Sequence, residues 1–341
     1  MQNNPSQNIA AIILAGGRDF GRCPLASSIP PAAWPVLGTQ AWQRVIKLLE
    51  KQEISTSIVC DGPNADILRN SHPDFGSAKV SFIDEILPLG TAGCLREALK
   101  ITNAQTFLIL HAAIISLPNL QKLITNHKNN NSILTAYFEA SQFGTKNFRK
   151  VAAYLCDREI EKHIPKHGFC DIKEGLIPHL LREGHKIHSA VIHSRIGSFN
   201  NHLSYISELS AYLSNGFDKE QLDNLNKYQG KVYAADNVDI DESARLFGPL
   251  ILLQNVRIGP ETVIIGPSVI GKNVTIAGNC LIQNSIIWDD VSIDDYSTVT
   301  KSVLAHHTHV PRKEMIYNRT LTNQFSKSLA LKKSKINIFQ L

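Results

Sequence analysis

Residues 14 to 25 read LAGGRDFGRCPL. An apolar run from Ile9 to Leu14 breaks into Ala15-Gly16-Gly17. That is how a buried strand hands over to a loop whose backbone can approach a ligand closely. Successive backbone N–H groups in such a turn suit a phosphate, so Leu14, Ala15, Gly16 and Gly17 are candidates for holding a phosphorylated ligand. A second glycine-bearing turn is PLGTAG, Pro88 to Gly93. The six cysteines, Cys23, Cys60, Cys94, Cys156, Cys170 and Cys280, form no CxxC pair and no finger-like spacing. They read as reduced, mostly buried thiols, with neither zinc nor disulfides implied.

The elements that must position these groups are legible as alternation. IAAIIL, TSIVC, KVSFI, TFLIL and ILTAYF read as strands, while AWQRVIKLLEKQ, GCLREALK and LPNLQKLITNH read as helices. Strands alternating with helices predict an α/β, Rossmann-like domain with a mostly parallel sheet covered on both faces. Ligands bind at the carboxyl ends of such strands, which directs attention to the residues after Leu14 and Leu110.

Beyond the polar stretch SNGFDKEQLDNLNKYQGK the pattern changes. A bulky apolar residue recurs every six positions at Ile240, Leu246, Leu252, Ile258, Ile264, Ile270, Ile276, Ile282 and Trp288. After a one-residue slip the pattern resumes at Ile293 and Val299. This period fits neither a helix nor an ordinary strand but suits a hexapeptide-repeat parallel β-helix, a prism of short strands that associates through its flat faces. His306, His307 and His309 follow the last good repeat. They are candidate bases for an acyltransferase site between neighbouring prisms, a reading secondary to rigidity and oligomerisation.

The chain has 341 residues, 43% hydrophobic and 19% charged, with a formal charge of +5. That length predicts two domains. The expected limits are 8–215 for the α/β domain, 216–234 for a linker, 235–310 for the prism and 311–341 for a tail. The mild, dispersed charge implies no nucleic-acid partner. With no signal core and no apolar run long enough to span a bilayer, a cytoplasmic protein without membrane attachment is expected.

LAGG after a strand, then PL, PVLG and PLGTAG, and finally a hexapeptide prism, together resemble the sugar-phosphate nucleotidyltransferases, most closely the mannose-1-phosphate guanylyltransferase type. The likeness runs from about Ile9 to Val310. It implies a left-handed β-helix, and transfer of a nucleoside monophosphate onto a sugar 1-phosphate with Mg²⁺ and release of pyrophosphate. By that resemblance Leu14 to Gly17 meet phosphates, and Pro88, Leu89, Gly90, Thr91, Ala92 and Gly93 hold base and ribose.

The same resemblance exposes departures. The family's signature Arg falls on Gly21 and its Lys on Pro31, with Arg22 one residue late. Its two metal-binding Asp positions fall on Ala113, after His111, and on Ser198. Alanine cannot coordinate Mg²⁺, and imidazole is a poor substitute for a carboxylate. A sugar-binding strand before Phe169 is missing, and Glu161-Lys162-His163 stands where the family has Glu-Lys-Pro.

Nucleotidyl transfer depends on positioning and charge neutralisation, and loss of one preorganised donor costs about 10²- to 10³-fold. The expectation is a catalytically degenerate member without a cofactor. It would be a regulatory, scaffolding or nucleotide(-sugar)-binding subunit, associating with itself or with an active paralogue through the β-helix. The alternative is an active pyrophosphorylase using Mg²⁺ and relocated charges, for which Arg22, Asp84 and Lys162 are the candidates, with Asp19 and Glu85 nearby.

Overall fold

The computed structural model describes residues 8–16, 23–62, 65–69, 75–140, 150–215 and 225–323. These fall into two compact units. The first is built on a seven-stranded sheet in the order Lys79–Asp84, Thr56–Asp61, Ile9–Leu14, Thr106–His111, Val151–Asp157, Leu134–Glu139, Ile187–Ile192. All neighbours are parallel except at Val151–Asp157, which runs antiparallel to both strands beside it. The mostly parallel sheet expected from the alternation is thus present.

Burial on both faces explains the unbroken apolar runs. Along the central strand Ile9, Ala11 and Ile13 join one core, while Ala10 and Ile12 join the other. The helix Ala41–Lys51 supplies Trp42, Val45, Ile46 and Leu49 to the first core, to which Leu120–Asn130 adds Leu120, Leu123 and Ile124. The helix Thr91–Ile101 covers the opposite face with Cys94, Leu95, Ala98 and Leu99. It begins at Thr91, ahead of the expected stretch GCLREALK, because Gly90 turns the chain with φ +76°. Thr91, Ala92 and Gly93 are therefore a helical first turn rather than a loop.

The second unit is the prism. Its short parallel strands stack in three sheets, one ending on each face. The anchors point inward and are buried from Leu246 to Leu321. Corners are turned by residues in the left-handed region, chiefly Asn255, Asn273, Asn279, Asn284 and Asn318, the residue type that tolerates this conformation best after glycine. Asn255 donates to Asn273, which donates to Asp290, at 2.8 and 2.9 Å, so the corner column is also a hydrogen-bonded ladder.

Three details differ from expectation. Leu250 pairs with Ser268, eighteen residues on, whereas Ile270 pairs with Ile287, seventeen on. The coil is one residue shorter at the Asn284-Ser285 corner, so Ile287 and not Trp288 fills the inward position. The strands of the prism also exceed 235–310. Val232–Ala234 already pairs with Leu250–Leu252, and Asn226–Gln229 lies antiparallel against it, within the stretch expected as linker. At the other end Met315–Tyr317 and Thr320–Leu321 continue the stack into the expected tail. Finally, the helix His202–Ser214 groups with the prism rather than with the α/β unit.

Candidate functional site

At the carboxyl end of Ile9–Leu14 the two neighbouring strands hold the backbone closely. Ala15 N donates to Cys60 O at 2.8 Å, and Ala112 N donates to Leu14 O at 3.0 Å. Gly16 is needed because the next strand's exit runs against it. A β-carbon there would lie 2.6 Å from Glu85 Oε2 and 2.9 Å from Gly62 N. The carboxylate of Glu85 thus stands against the α-carbon of Gly16, where the sequence suggested a phosphate. Gly17, Asp19, Gly21 and Arg22 lie outside the described residues.

More acid gathers at the same strand ends. Asp61, fully buried at the end of Thr56–Asp61, pairs with Arg69 at 3.0 Å, and Arg69 also pairs with Asp84. Burial raises the Asp61 carboxyl above its ordinary range, against the lowering influence of Arg69. Asp84 is therefore engaged with Arg69, and Glu85 accepts from Leu89 N at 2.9 Å. Asp61 was missed by motif comparison. Its signal was a charge closing an apolar run, TSIVCD.

Pro88 to Gly93 is filled from within. Ala92 N and Gly93 N both donate to Cys170 O, at 3.0 and 3.1 Å, and Cys170 N donates to Leu89 O at 2.9 Å. Thr91 Oγ1 donates to Asp171 Oδ2 at 2.9 Å and accepts from Ile172 N at 2.8 Å. A β-carbon on Gly90 would overlap the Cys170 carbonyl. The helix N-terminus, with its unsatisfied N–H groups, is capped by the segment that follows the missing sugar-binding strand. No side-chain signal announced Cys170, since its backbone does the work.

The two positions to which the resemblance assigns metal carboxylates lie on neighbouring segments. Ile114 and Ser198 form an isolated antiparallel bridge, and Ile115 N donates to Ile196 O and Gly197 O, each at 3.1 Å. Ala113 and Ser198 therefore belong to adjoining segments. Glu139 reaches these segments, but its Oε1 accepts from Ile196 N at 2.9 Å and serves the backbone.

Lys162 is not brought to this end. It lies in the 3₁₀ turn Arg158–His163, directly after Asp157, which pairs with Thr106 at the start of its strand. At about 3.3 Å per residue, the strand Thr106–His111 separates it from the loops. Lys162 instead lines a surface hollow with Lys100, Gln105 and Arg158. Relocation of charge to Lys162 is corrected accordingly.

The three prism histidines lie inside the stack, not after it. His307 is a corner residue with φ +58°, 3.8 Å from Asp290. His309 meets Ser292 Oγ at 2.9 Å and Asp294 at 3.4 Å. His306 packs against Trp288 with tilted rings, centroids 4.9 Å apart, and burial lowers its pKa.

A doubly covered parallel sheet with a glycine turn at its central strand end, joined in one chain to a stacked hexapeptide prism, defines a nucleotidyltransferase-like protein with a left-handed β-helix. Residues 10–150 match the family model Nucleotidyl transferase, and residues 229–325 match the model of the EIF2B subunit epsilon LbH domain. The two matches together fit a sugar-phosphate nucleotidyltransferase-like protein that carries a C-terminal β-helix. Comparison with curated proteins found no match. No helix among the described residues is long and apolar enough to cross a membrane.

Proposed function

We propose that this chain is a catalytically degenerate nucleotidyltransferase-like protein, a regulatory or scaffolding subunit in nucleotide-sugar metabolism that assembles through its β-helix. The observation that carries this reading is the occupied base-and-ribose loop: the amides of Ala92 and Gly93 are bonded to Cys170 O. A ligand would have to displace a carbonyl of the same chain, and the desolvation cost of an unsatisfied polar group is about 1–3 kcal/mol. Glu85 against Gly16, with Asp61 and Asp84 sharing the guanidinium of Arg69, leaves these strand ends net acidic, which disfavours a polyphosphate further. Ala113 and Ser198 offer Mg²⁺ no carboxylate.

Assembly is supported by one prism face. Its outward rows run Phe247, Ile265, Gln283, Thr300, Tyr317 and Arg245, Val263, Leu281, Thr298, Met315. Arg245 is the charged residue of the two rows, and Phe247, Met315 and Tyr317 are exposed. Flat, sparsely charged and partly apolar surface of this kind marks association. The matched prism model is itself that of a subunit's domain, which fits self-association or pairing with an active paralogue. The six cysteines are all unpaired by disulfides and buried, consistent with a reducing cytoplasm.

The test is pyrophosphate release from GTP and other nucleoside triphosphates with mannose 1-phosphate and related sugar phosphates, in Mg²⁺. The expected result is none above background, together with no calorimetric binding of GTP or GDP-mannose. Mg²⁺-dependent turnover would overturn the reading in favour of a working guanylyltransferase.

A further inference from the structure

Apart from the strand-end site, three histidines and a carboxylate converge on the α/β unit. His163 Nδ1 lies 2.6 Å from Glu183 Oε2, His179 Nε2 lies 3.4 Å from Glu183 Oε1, and His185 Nε2 lies 3.6 Å from Glu183 Oε2. One ligand atom from each of His163, His179 and Glu183 lies within 4.8 Å of the others. The rings of His163 and His185 are 4.3 Å apart between centroids.

Each donor is held by its backbone. Arg158 fixes the turn ending in His163, donating to Thr102 O at 2.8 Å, Ala104 O at 3.0 Å and Leu99 O at 2.8 Å. Ile160 and Ile164 anchor the same turn in the core. His179 sits on the helix Ile177–Arg182, whose Leu180 is buried, and Glu183 follows one turn later on the same face. Gly184, at φ +80°, ends the helix and folds His185 back, with His185 N donating to Leu180 O at 3.0 Å.

We propose that His163, His179 and Glu183 form a site for a divalent transition-metal ion of the zinc class, with His185 orienting the Glu183 carboxylate from outside. Imidazole and carboxylate are the donors such ions favour, and two histidines with one glutamate is a recognised zinc set. Tetrahedral zinc with bonds of about 2.0–2.1 Å sets its donors about 3.3 Å apart, and the three donor atoms here already lie within 4.8 Å of one another. His163 and His179 also line a cavity of about 430 Å³ shared with Phe169 and Asp171. That cavity gives the ion an approach and leaves its fourth position to water or a small anionic ligand. The ion would tie the turn after Val151–Asp157 to the end of the helix, on either side of the Cys170 segment. This site stands independently of the proposed loss of nucleotidyl transfer.

The experiment uses the full chain after chelator treatment, titrated with Zn²⁺ by calorimetry and with Co²⁺ by visible absorption. The expected result is one ion per chain, with the intense bands of low-coordinate Co²⁺. Loss of an outer partner costs about 10- to 100-fold in affinity, so His185→Gln is expected in that range and the pair His163→Gln with His179→Gln beyond about 100-fold. His307→Gln with His309→Gln, in the prism, is expected to leave affinity unchanged. Glu183→Gln keeps size and removes the anionic donor, and it gives the same reading should the histidine pair fail to fold. No uptake by the parent chain, or uptake unaltered by Glu183→Gln, overturns the proposal, as does uptake abolished by the prism variant alone.

Discussion

Two side chains show how the strand-end site is balanced. Asp61 is buried against Arg69, so Arg69→Met leaves a buried carboxylate without its counter-charge. The expected cost at neutral pH is about 2–4 kcal/mol, read by urea unfolding. The sign with pH follows from the raised carboxyl of Asp61. The folded state binds that proton more tightly than the unfolded state does. Its contribution to stability is therefore fully present below the ordinary carboxylate range and is lost as pH rises through the raised value. The penalty of Arg69→Met should accordingly shrink as pH falls toward 4, while Asp61→Asn should flatten this part of the profile. Gly90 makes a separate case. With φ +76° and the Cys170 carbonyl against it, Gly90→Ala is expected to cost about 2–4 kcal/mol without touching any ligand.

Among elements, the first turn of Thr91–Ile101 is the informative one. Thr91 bridges Asp171 and Ile172, and the Cys170 carbonyl accepts from the two amides that follow. Thr91→Val should lower stability by about 1–2 kcal/mol and speed hydrogen exchange at Ala92 and Gly93. Unchanged exchange there would mean that the segment does not hold the turn. This element also separates what was legible from what was not. PLGTAG advertised a binding loop because glycines and a helix start are local signals. Its occupant is the main-chain carbonyl of Cys170, far along the chain and carrying no side-chain signature, so composition could not disclose it. The repeat was legible because each anchor reports its own coil. The slip was misplaced by one repeat because Trp288 is as apolar as Ile287, and only pairing with Ile270 and Leu304 distinguishes them. His179 and Glu183 had helical spacing in the sequence, whereas His163 joins them only through the tertiary path of Val151–Asp157.

For the molecule as a whole, the proposed assembly runs through the prism. The outward rows through Val263 and Leu281 lie in the middle of one sheet and are intermediate in exposure. Val263→Glu with Leu281→Glu leaves the inward anchors Ile264 and Ile282 intact, so folding should persist. Sedimentation velocity is expected to show a shift from oligomer toward monomer, with thermal unfolding little changed at high dilution. A monomeric parent chain would remove this face from consideration.

Stacked coils repeat their own hydrogen-bonding edge, and an edge left bare recruits more of the same. Here Asn226–Gln229, four exposed residues with polar or tyrosyl side chains, pairs antiparallel with Val232–Ala234, against the parallel run of the stack. It acts as a stopper on one face of the pile. Excising residues 226–230 would uncork that rim, and turbidity or fibrils under negative stain, absent from the intact chain, would be the sign that a short strand had been keeping the column from growing end to end.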